Sequence, residues 1–440
     1  MMPPAARGGT IVRHPTYQAG SVGVLVGMTR NDDREPGAGD GRLPGGASLP
    51  VVIATILREE GNTGVQTHVR QLRLYLKERG TPTTLVTPFS WGRALTVPVF
   101  GLRLALERCS GAASVAWYRH WHEVFLRNAL RRSLAEAGPC VVYAQCPLSA
   151  RAALRARRGP HQRVVMAVHF RISQADEWAD KGLINRDGTV FRSIRQLERE
   201  VIPQVDGLMY VSGWARNALL GWYPAAAEVP YAVIDNFVAP PPEPPAGQEP
   251  LGDLVTIGHL EPVKNHRFML KVLAEANQAG RALTLDMFGE GPLHKELLQL
   301  TSSLGLERQV RFRGYRQDVR AFLPRYRAYV HASYSESSSL AIIEAMEAGL
   351  PIVAAKIGPI GELCDDGVEA RFWSLDDPAL AAKTLIDLLD CEPERLKAAS
   401  AARERFRRDF DASVIAPRLA SFLQGPRLPR EDDTLGVPGV

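Results

Sequence analysis

The segment that most constrains this chain is 330–349, VHASYSESSSLAIIEAMEAG. It opens on an apolar run, passes a serine-rich loop and then places Leu340, Ile343 and Met346 at the spacing of a buried helix face. The serines before Leu340 are residue types that favour a helix N-cap. Gly349, with a proline two positions later, is a helix stop signal. The segment therefore predicts a strand, a polar loop and a helix.

Two carboxylates flank the start of this helix, Glu336 in the loop and Glu344 two turns into the helix. A helix N-terminus offers unpaired backbone N–H groups and about half a positive charge, which suits a phosphate. Carboxylates on either side can accept hydrogen bonds from sugar hydroxyls. These features describe a site for a nucleoside diphosphate that carries a sugar. A helix with two solvated glutamates is the alternative that this segment alone leaves open.

Chain length and composition indicate a soluble protein of two domains. The chain has 440 residues, 45% of them hydrophobic and 23% charged. It contains no uninterrupted apolar run of about 18 residues and no signal-peptide pattern, so we expect a cytoplasmic protein. A net charge of +5 is compatible with anionic ligands or membrane surfaces. No nucleic-acid-binding module accompanies the charge, so no nucleic-acid partner is expected.

Strands alternate with helices along both halves of the chain, which predicts an α/β protein with parallel, doubly wound sheets. Between the halves lies a stretch in which six of twelve residues are proline, and it predicts a semi-rigid linker. The expected organisation is a disordered leader, a first domain, the linker, a second domain, a C-terminal helix packed back on the first domain, and a disordered tail. Their bounds are 1–48, 49–238, 239–250, 251–408, 409–424 and 425–440.

Two strand ends in the first half carry candidate ligand residues. Gly61 and Gly64 lie in a loop between the first strand and the first helix, where glycine lets backbone N–H groups approach a phosphate. The run 163–168 delivers His169 and Arg171 to the edge where open α/β sheets bind ligands. His169 could orient a substrate or take part in proton transfer. It could equally be a structural imidazole, and its position alone leaves both interpretations open.

Residues 95–135 predict a basic and aromatic helical segment. Trp117, Tyr118, Trp121 and Phe125 are interleaved there with arginine and histidine. Such a stretch can lie at an anionic membrane surface or bind an anionic acceptor. The alternative, slightly favoured by the pattern, is an aromatic stripe facing the core with a solvated basic face.

With these pieces in place, the chain resembles the retaining glycosyltransferases of family 4. The resemblance is strong in the second half and looser in the first, through the Gly61–Gly64 loop and His169. It implies the GT-B fold, two doubly wound Rossmann-like domains facing across a cleft. Four segments carry it, with characteristic order and spacing: IGHLEPVKN at 257–265, FGEGP at 288–292, VRFRG at 310–314, and the Glu336…Glu344 pair followed by AMEAGLP at 345–351.

The resemblance implies that the second domain holds most of a UDP- or GDP-linked sugar donor. It gives Lys264 a role on the diphosphate, Glu344 on the ribose hydroxyls and Glu336 on the donor sugar. Gly314 would lie near the base, and Gly258 and His259 would line the donor site.

The remaining implied roles lie where the two domains meet. The backbone at Ser338, Ser339 and Leu340 would contact the phosphates, and Gly64 would approach them from the first domain. His169 would stand near the transferred sugar, with Arg171 on the acceptor side. The catalytic residues would then be Glu336, Lys264 and His169.

The implied activity is that of a retaining hexosyltransferase of polysaccharide biosynthesis, which forms α-linkages on a glycan or lipid-linked acceptor. No metal and no cofactor are expected, because Lys264 and oriented N–H dipoles would stabilise the charge of the leaving group. The cytoplasmic protein would contact the inner face of the membrane through 95–135.

Three positions depart from the family pattern. His259 stands where an arginine is usual, Ser337–Ser339 replace Gly-Phe-Gly, and Ala370 replaces a glycine in a late turn. The departures leave room for an unusual donor or for a non-catalytic homologue that binds a sugar nucleotide. A separate alternative on the same two-domain architecture is a sugar-nucleotide epimerase.

Overall fold

The apolar runs of the sequence form two parallel sheets of six strands each. A computed structural model describes residues 48–61, 63–91, 93–240 and 249–425. The strands of the first sheet are β1 Val51–Ala54, β2 Thr83–Val86, β3 Cys140–Ala144, β4 Gln162–Val168, β5 Gly207–Tyr210 and β6 Tyr231–Val233. Those of the second are β7 Leu254–Ile257, β8 Leu285–Phe288, β9 Val310–Gly314, β10 Ala328–His331, β11 Ile352–Ala355 and β12 Ala370–Trp373.

The helices of the described residues connect and cover these strands. In the first half they are α1 Gly64–Glu78, α2 Arg93–Cys109, α3 Gly111–Glu136, α4 Pro147–Leu154, α5 Gln174–Asp180, α6 Thr189–Val201 and α7 Gly213–Trp222. In the second half they are α8 His266–Gln278, α9 His294–Ser303, α10 Leu340–Glu347, α11 Ile360–Leu363, α12 Pro378–Asp390, α13 Glu392–Asp409 and α14 Ala412–Gln424. Short 3₁₀ turns lie at Pro88–Trp91, Ile202–Gln204, Pro224–Glu228, Pro262–Lys264, Val319–Ala321 and Leu323–Arg325. None of the helices in this part of the chain has both the length and the apolar content to cross a membrane.

The strand order creates a switch point in each sheet. The orders are β2-β1-β3-β4-β5-β6 and β12-β11-β10-β7-β8-β9. The chain therefore winds outward in one direction from β1 or β7, and then returns to the strand beside it, β3 or β10. Ligands of open α/β sheets bind at the carboxyl ends of such strand pairs. The loops after β1, β3, β7 and β10 are consequently the places to look for a site.

Helices cover both faces of each sheet, which explains why the central strands are predominantly apolar. In the first half, α1 and α14 pack on one face, and α3, α4 and α6 pack on the other. In the second half, α8 and α12 cover one face, while α10 and α13 cover the other. The predicted α/β fold with two doubly wound parallel sheets is confirmed.

The C-terminal segment differs in detail from the sequence prediction. α13 runs to Asp409, and the last helix begins at Ala412 rather than at 409. The break occurs because Asp411 caps the new helix, where its Oδ1 accepts the backbone N–H of Ser413 at 2.7 Å. The last helix buries Leu419 and Leu423 against the first sheet. The second half of the fold therefore ends in a helix that belongs to the core of the first half.

The sequence prediction is incomplete for one strand, and its predictions for the leader, the linker and the tail concern mostly residues that the structure does not describe. The sequence interpretation missed β12 and assigned Ala370 to a turn, whereas Ala370 is the first residue of that strand. The strand is only four residues long, and its one charged residue, Arg371, interrupts the apolar run that marks the other buried strands. The predicted leader and tail, and most of the proline-rich linker, lie outside the described residues.

Removing a buried side chain from α14 should destabilise the first half of the fold. We expect Leu419→Ala to lower the free energy of unfolding by about 3 kcal/mol, because the side chain is fully buried and leaves a cavity. The matched control is Val414→Ala on the same helix, where the side chain is 39% exposed. Urea denaturation followed by circular dichroism measures both variants. Equal midpoints for the two variants would contradict the placement of α14 in the core.

Candidate functional site

The switch point of the second sheet brings together Lys264 and Glu336. Lys264 ends the 3₁₀ turn after β7, and Glu336 lies in the loop after the neighbouring strand β10. Lys264 Nζ donates to Glu336 Oε1 at 2.7 Å. His331, the last residue of β10, donates from Nε2 to the same oxygen at 3.0 Å. The predicted residues Lys264 and Glu336 thus belong to one hydrogen-bonded network, and His331 is its third member.

The electrostatics of this network favour the ionised carboxylate. Burial alone would raise the pKa of Glu336, but the charge of Lys264 and the hydrogen bond from His331 outweigh burial. The pKa of Glu336 therefore lies well below its usual range. Behind the network, burial and then the charges of Lys264 and His331 lower the pKa of His266 to about 3. Glu336 is consequently a fixed negative charge beside a fixed positive one.

The N-termini of two helices meet beside this network. Gly64 is the first residue of α1, and a Cβ at that position would lie 3.5 Å from Leu340 Cδ1 at the start of α10. A capping box fixes the start of α1, since Thr63 and Gln66 exchange side-chain to backbone hydrogen bonds. Gly64 and Leu340 therefore place one helix N-terminus from each half at the same point of the cleft.

The serine-rich loop does not cap α10 in the manner that the sequence predicts. Ser339 occupies the N-cap position, but its side chain makes no capping hydrogen bond. The neighbouring Ser338 buries its Oγ without a hydrogen-bond partner among the described atoms. The backbone N–H groups at the helix start are thus not claimed by a serine cap, and they remain suited to an anion.

A cavity in the cleft joins the start of the second half to α1. Gly258, His259 and Glu344 line it from the second half, and Arg70 of α1 lines it from the first. Burial raises the pKa of Glu344 to about 7, although the charges of Arg320 and Arg70 act against the rise. Glu344 therefore lies near the midpoint of its titration at neutral pH.

Gly314 closes the same region from the end of β9. Met287 pairs with Phe312, whereas Phe288 pairs with Gly314, so β9 contains one extra residue at this point. Gly314 has φ +67°, a conformation that glycine adopts without strain. Gly289 donates from its N–H to the carbonyl of Gly314 at 2.9 Å. The bulge thus brings the end of β9 against the loop that lines the cavity.

His169 lies at the end of β4 in a polar cluster of the first half. Its Nε2 lies 3.0 Å from Gln145 Oε1, and its ring meets the His68 ring edge-on with centroids 5.0 Å apart. His68 in turn contacts Asn236 and Tyr143 at 3.1 and 2.9 Å. Burial lowers the pKa of His68 to about 4, and burial together with His68 holds the pKa of His169 well below its usual range. Both imidazoles are therefore neutral hydrogen-bonding groups at pH 7.

Arg171 lies two residues beyond His169 and lines a second cavity of the cleft. Lys264, Glu336 and Ser337 line this cavity from the second half. Arg171 Nη2 donates to Asp180 Oδ2 of α5 at 2.7 Å. The described residues of the cleft thus line one cavity at Glu344 and another where Arg171 meets Lys264. His169 lines neither of them.

Two family models match most of the chain. The model described as "Glycosyltransferase Family 4" matches residues 62–241, and "Glycosyl transferases group 1" matches 246–405. The chain belongs to the group 1 and family 4 glycosyltransferases. The resemblance read from the sequence is thereby confirmed.

Curated relatives of this family are distant. The glycogen synthase of Mycobacterium tuberculosis is 27% identical over 53% of this chain, and the match spans 57% of the synthase. The chain thus spans little more than half the length of the first relatives that it matches. The phosphatidyl-myo-inositol mannosyltransferase of Mycobacterium leprae is 26% identical over 81% of this chain and 91% of its own length.

Solved structures share the fold of this family member. Anabaena HepE in complex with UDP and glucose has a TM-score of 0.63 at 18% identity, covering 86% of this chain and all of HepE. Sucrose-phosphate synthase from Thermosynechococcus elongatus has a TM-score of 0.62 at 15% identity, covering 85% and 98%. The predicted GT-B fold is confirmed.

The basic and aromatic segment 95–135 of this glycosyltransferase faces inward over much of its length. Arg119 and His122 are buried, and Arg119 Nη1 donates to Gln174 of α5 at 3.0 Å. Phe125 is buried as well, while Arg131 and Arg132 are exposed at the end of α3. Several residues predicted for a basic surface are therefore part of the packing between α3 and α5.

Sequence reasoning missed three residues of the cleft. His331 immediately ends a buried strand five positions before Glu336, and the strand-end rule could have found it. Arg70 follows Gly64 by six residues on α1, but nothing in the sequence shows that α1 faces the second half. His68 was read as part of an amphipathic helix, and its neighbour Asn236 is distant in sequence.

Removing Lys264 should make the stability of the protein less dependent on acid pH. The lowered pKa of Glu336 contributes stability above its unfolded value of about 4.3, and this contribution is lost as pH falls through the folded-state pKa. Lys264→Ala leaves a buried carboxylate with one partner fewer. We expect it to lower the free energy of unfolding by about 2 kcal/mol at pH 7, and this deficit to shrink only below about pH 3, as pH falls towards the folded-state pKa of Glu336.

The control for this prediction is Lys271→Ala, which removes an exposed lysine from the neighbouring α8. Urea denaturation at several pH values gives the difference from wild type for both variants. A Lys264→Ala deficit that does not shrink as pH falls below about 3 would show that Lys264 does not hold Glu336 ionised.

Proposed function

We propose that the protein is a glycosyltransferase that moves a sugar from a nucleotide-diphosphate sugar to a glycan or lipid-linked acceptor, with retention of configuration. The observation that carries this proposal is the Lys264–Glu336 pair beside the facing N-termini of α1 and α10. It combines a cation, N–H dipoles and a carboxylate at one point of an interdomain cleft. A cation and N–H dipoles can bind a phosphate, and a neighbouring carboxylate can accept hydrogen bonds from the hydroxyls of the attached sugar.

The donor would lie along the cleft with its ribose at Glu344 and its diphosphate at the start of α10. Gly314 and the cavity at His259 would accommodate the base and the first phosphate. His259 replaces a permanently charged arginine of the family pattern, and Arg70 of α1 lines the same cavity from the opposite half. Arg70 would therefore supply a guanidinium to the phosphates once the cleft holds the donor.

In the proposed reaction, the bond between the anomeric carbon and the diphosphate oxygen breaks, and the acceptor hydroxyl forms the new bond on the same face. Lys264 and the α10 dipole would stabilise the negative charge that develops on the leaving diphosphate. The proton of the acceptor hydroxyl would pass to the leaving phosphate oxygen. The proposal needs no metal, because Lys264 and the helix N-terminus supply the positive charge.

Glu336 and His169 would position the sugar from opposite sides of the cleft. Glu336 is held ionised and can accept hydrogen bonds from hydroxyls of the donor sugar. His169 is neutral, so it can bond a hydroxyl without adding charge near the reacting carbon. Arg171, which shares a cavity with Lys264, would lie on the acceptor side.

The relatives support the substrate classes without fixing one. HepE was solved with UDP and glucose, which favours UDP among the candidate nucleotides. Relatives named as a glycogen synthase and a phosphatidyl-myo-inositol mannosyltransferase represent a glycan acceptor and a lipid-linked acceptor respectively. A lipid-linked acceptor would bring the protein to the inner face of a membrane, where the exposed Arg131 and Arg132 of α3 would contact anionic headgroups.

The nucleotide is tested by thermal unfolding with UDP, GDP or ADP, each alone at millimolar concentration. A ligand at about 100 times its dissociation constant stabilises the folded state by about 2.7 kcal/mol. We expect a clear shift with UDP and a smaller one with the others. No shift with any nucleotide would refute the donor site. Conversion of a sugar nucleotide without acceptor would instead identify an epimerase.

Replacing Glu344 should remove a pH dependence of nucleotide binding. Because the pKa of Glu344 is about 7, the carboxylate form, which accepts two ribose hydrogen bonds, becomes populated as pH rises from 6 to 8. UDP affinity of the wild type should rise over this range, and Glu344→Gln should bind UDP about tenfold more weakly at pH 8. Isothermal titration calorimetry measures both proteins.

The control variant is Glu136→Gln, which neutralises an exposed glutamate at the end of α3. Ionisation of the nucleotide's own phosphate affects all three proteins equally and cancels in the comparison. An identical pH profile for wild type and Glu344→Gln would exclude Glu344 from ribose binding.

A further inference from the structure

A second basic site lies outside the cleft, in a groove along α6. The groove is lined by Arg186, Phe191, Arg192, Arg195, Arg199 and Trp222. Asp187 contributes the only carboxylate among its described lining residues, against four guanidinium groups. Nothing in the proposed reaction uses these residues.

The groove is held in a fixed shape by its own contacts. The Arg195 guanidinium lies 3.8 Å from the centroid of the Trp222 ring, while Arg195 Nη2 donates to Asp176 at 2.6 Å. Trp222 is fixed from its other end, because its Nε1 donates to the carbonyl of Ile172 at 2.8 Å. A guanidinium stacked on an indole and oriented by a carboxylate is preorganised to bind a further anion.

Positive charge in the groove exceeds what the protein neutralises. Arg186 and Arg195 pair with aspartates of α5. Arg192 donates to a backbone carbonyl at 2.6 Å, and Arg199 lies 5.8 Å from the Trp222 centroid, but neither has an acidic partner within the described ranges. Arg195 Nη1 is buried without a hydrogen-bond partner there. Two uncompensated guanidiniums fit a phosphate better than a singly charged carboxylate.

The groove is connected to the cleft by a chain of ion pairs. Arg171, which lines the cavity at Lys264, pairs with Asp180, and Asp180 also pairs with Arg186 at 2.5 Å. Arg186 then pairs with Asp176, which holds Arg195 in the groove. In addition, Trp222 Nε1 donates a hydrogen bond to the backbone carbonyl of Ile172, the residue that directly follows Arg171. The groove therefore opens beside the acceptor end of the cleft.

We propose that the α6 groove binds a phosphate group carried by the acceptor, away from the hydroxyl that receives the sugar. That the phosphate belongs to the acceptor rests on the proposed function, whereas the phosphate site itself does not. The groove would select acceptors that carry a phosphate at a distance from the reacting hydroxyl. The shared ligand chemistry is a phosphate ester, which either a soluble phosphorylated glycan or a lipid headgroup can supply.

The site is tested first with inorganic phosphate and the fluorescence of Trp222. Sodium phosphate is titrated into the full chain at constant ionic strength, with sodium chloride as the balancing salt. We expect a saturable fluorescence change in the wild type, and at least about tenfold weaker binding in Arg192→Gln/Arg199→Gln, because two charge-assisted hydrogen bonds are lost. Trp222→Phe should lose the fluorescence change while remaining folded.

The matched control is Arg158→Gln/Arg308→Gln, which removes the same charge from two exposed positions on other surfaces. The control should bind phosphate within about twofold of wild type, a difference of about 0.4 kcal/mol. Equal affinity in the groove variant and the control would overturn the proposal. A fluorescence change that persists in Trp222→Phe would also overturn it, because the phosphate would then bind near another tryptophan.

Two further probes distinguish the source of the phosphate. One is soluble glycerol 1-phosphate, and the other is sedimentation with vesicles of phosphatidylcholine with or without phosphatidylglycerol. Binding of the soluble ester that requires Arg192 and Arg199 assigns a soluble phosphorylated acceptor. Sedimentation that requires both the anionic lipid and these arginines assigns a lipid-borne phosphate. Binding of neither probe would overturn the acceptor assignment.

The outcomes for the groove and for the proposed function are separable. The thermal shift with UDP does not involve α6, so its absence would refute the donor site and leave the phosphate titration valid. Conversely, a normal UDP shift in Arg192→Gln/Arg199→Gln shows that the variant is folded and binds donor. Loss of phosphate binding in that variant then reports on the groove alone.

Discussion

The site depends on a buried carboxylate that must remain charged. Glu336 is taken out of water, which would cost several kcal/mol without compensation. Lys264 and His331 compensate, and they come from the ends of adjacent strands, β7 and β10. Holding Glu336 ionised therefore requires that these two strands be neighbours in the sheet. The strand order of the second sheet therefore determines whether Glu336 can stay charged at the carboxyl edge of that sheet.

Glu344, on the helix that follows the Glu336 loop, shows the opposite balance. Burial raises its pKa to about 7, because the arginines near it do not fully offset the loss of water. A carboxylate left in this condition gains from hydrogen-bond donors that a ligand brings. Ribose hydroxyls are such donors, so in the proposed function Glu344, which is costly to keep charged in the free protein, would be stabilised as a carboxylate by the nucleotide. Glu336 carries a fixed charge, whereas the charge of Glu344 would depend on the ligand.

The sequence predicted the fold class and the α10 region well, because apolar strands, glycine turns and helix spacing are local signals. It predicted Lys264 and Glu336 as separate donor contacts but not as partners, since 72 residues separate them and the strand order that joins them is not a local property. β12 was missed because Arg371 interrupts its short apolar pattern. The interior position of Arg119 was equally hidden, since its partner Gln174 lies 55 residues away. Serine capping of α10 was predicted from residue type, whereas the side chain of Ser339 makes no capping hydrogen bond.

The two halves of the cleft divide its electrostatics. In the second half, Lys264 and the α10 N-terminus place positive potential where a diphosphate would lie. In the first half, burial keeps His68 and His169 neutral, so no cation of that cluster competes for the leaving group. An acceptor phosphate bound close to His169 would therefore gain no charge compensation from these imidazoles and would repel the donor diphosphate. In the proposed reaction, the arginines of the α6 groove would hold such a phosphate apart from the diphosphate. The hydrogen bond from Trp222 to the carbonyl of Ile172, and the ion pairs of Asp180 with Arg171 and Arg186, join the groove to the cleft. Separation of the two anions, one per site, would be the physical reason for a basic groove outside the cleft.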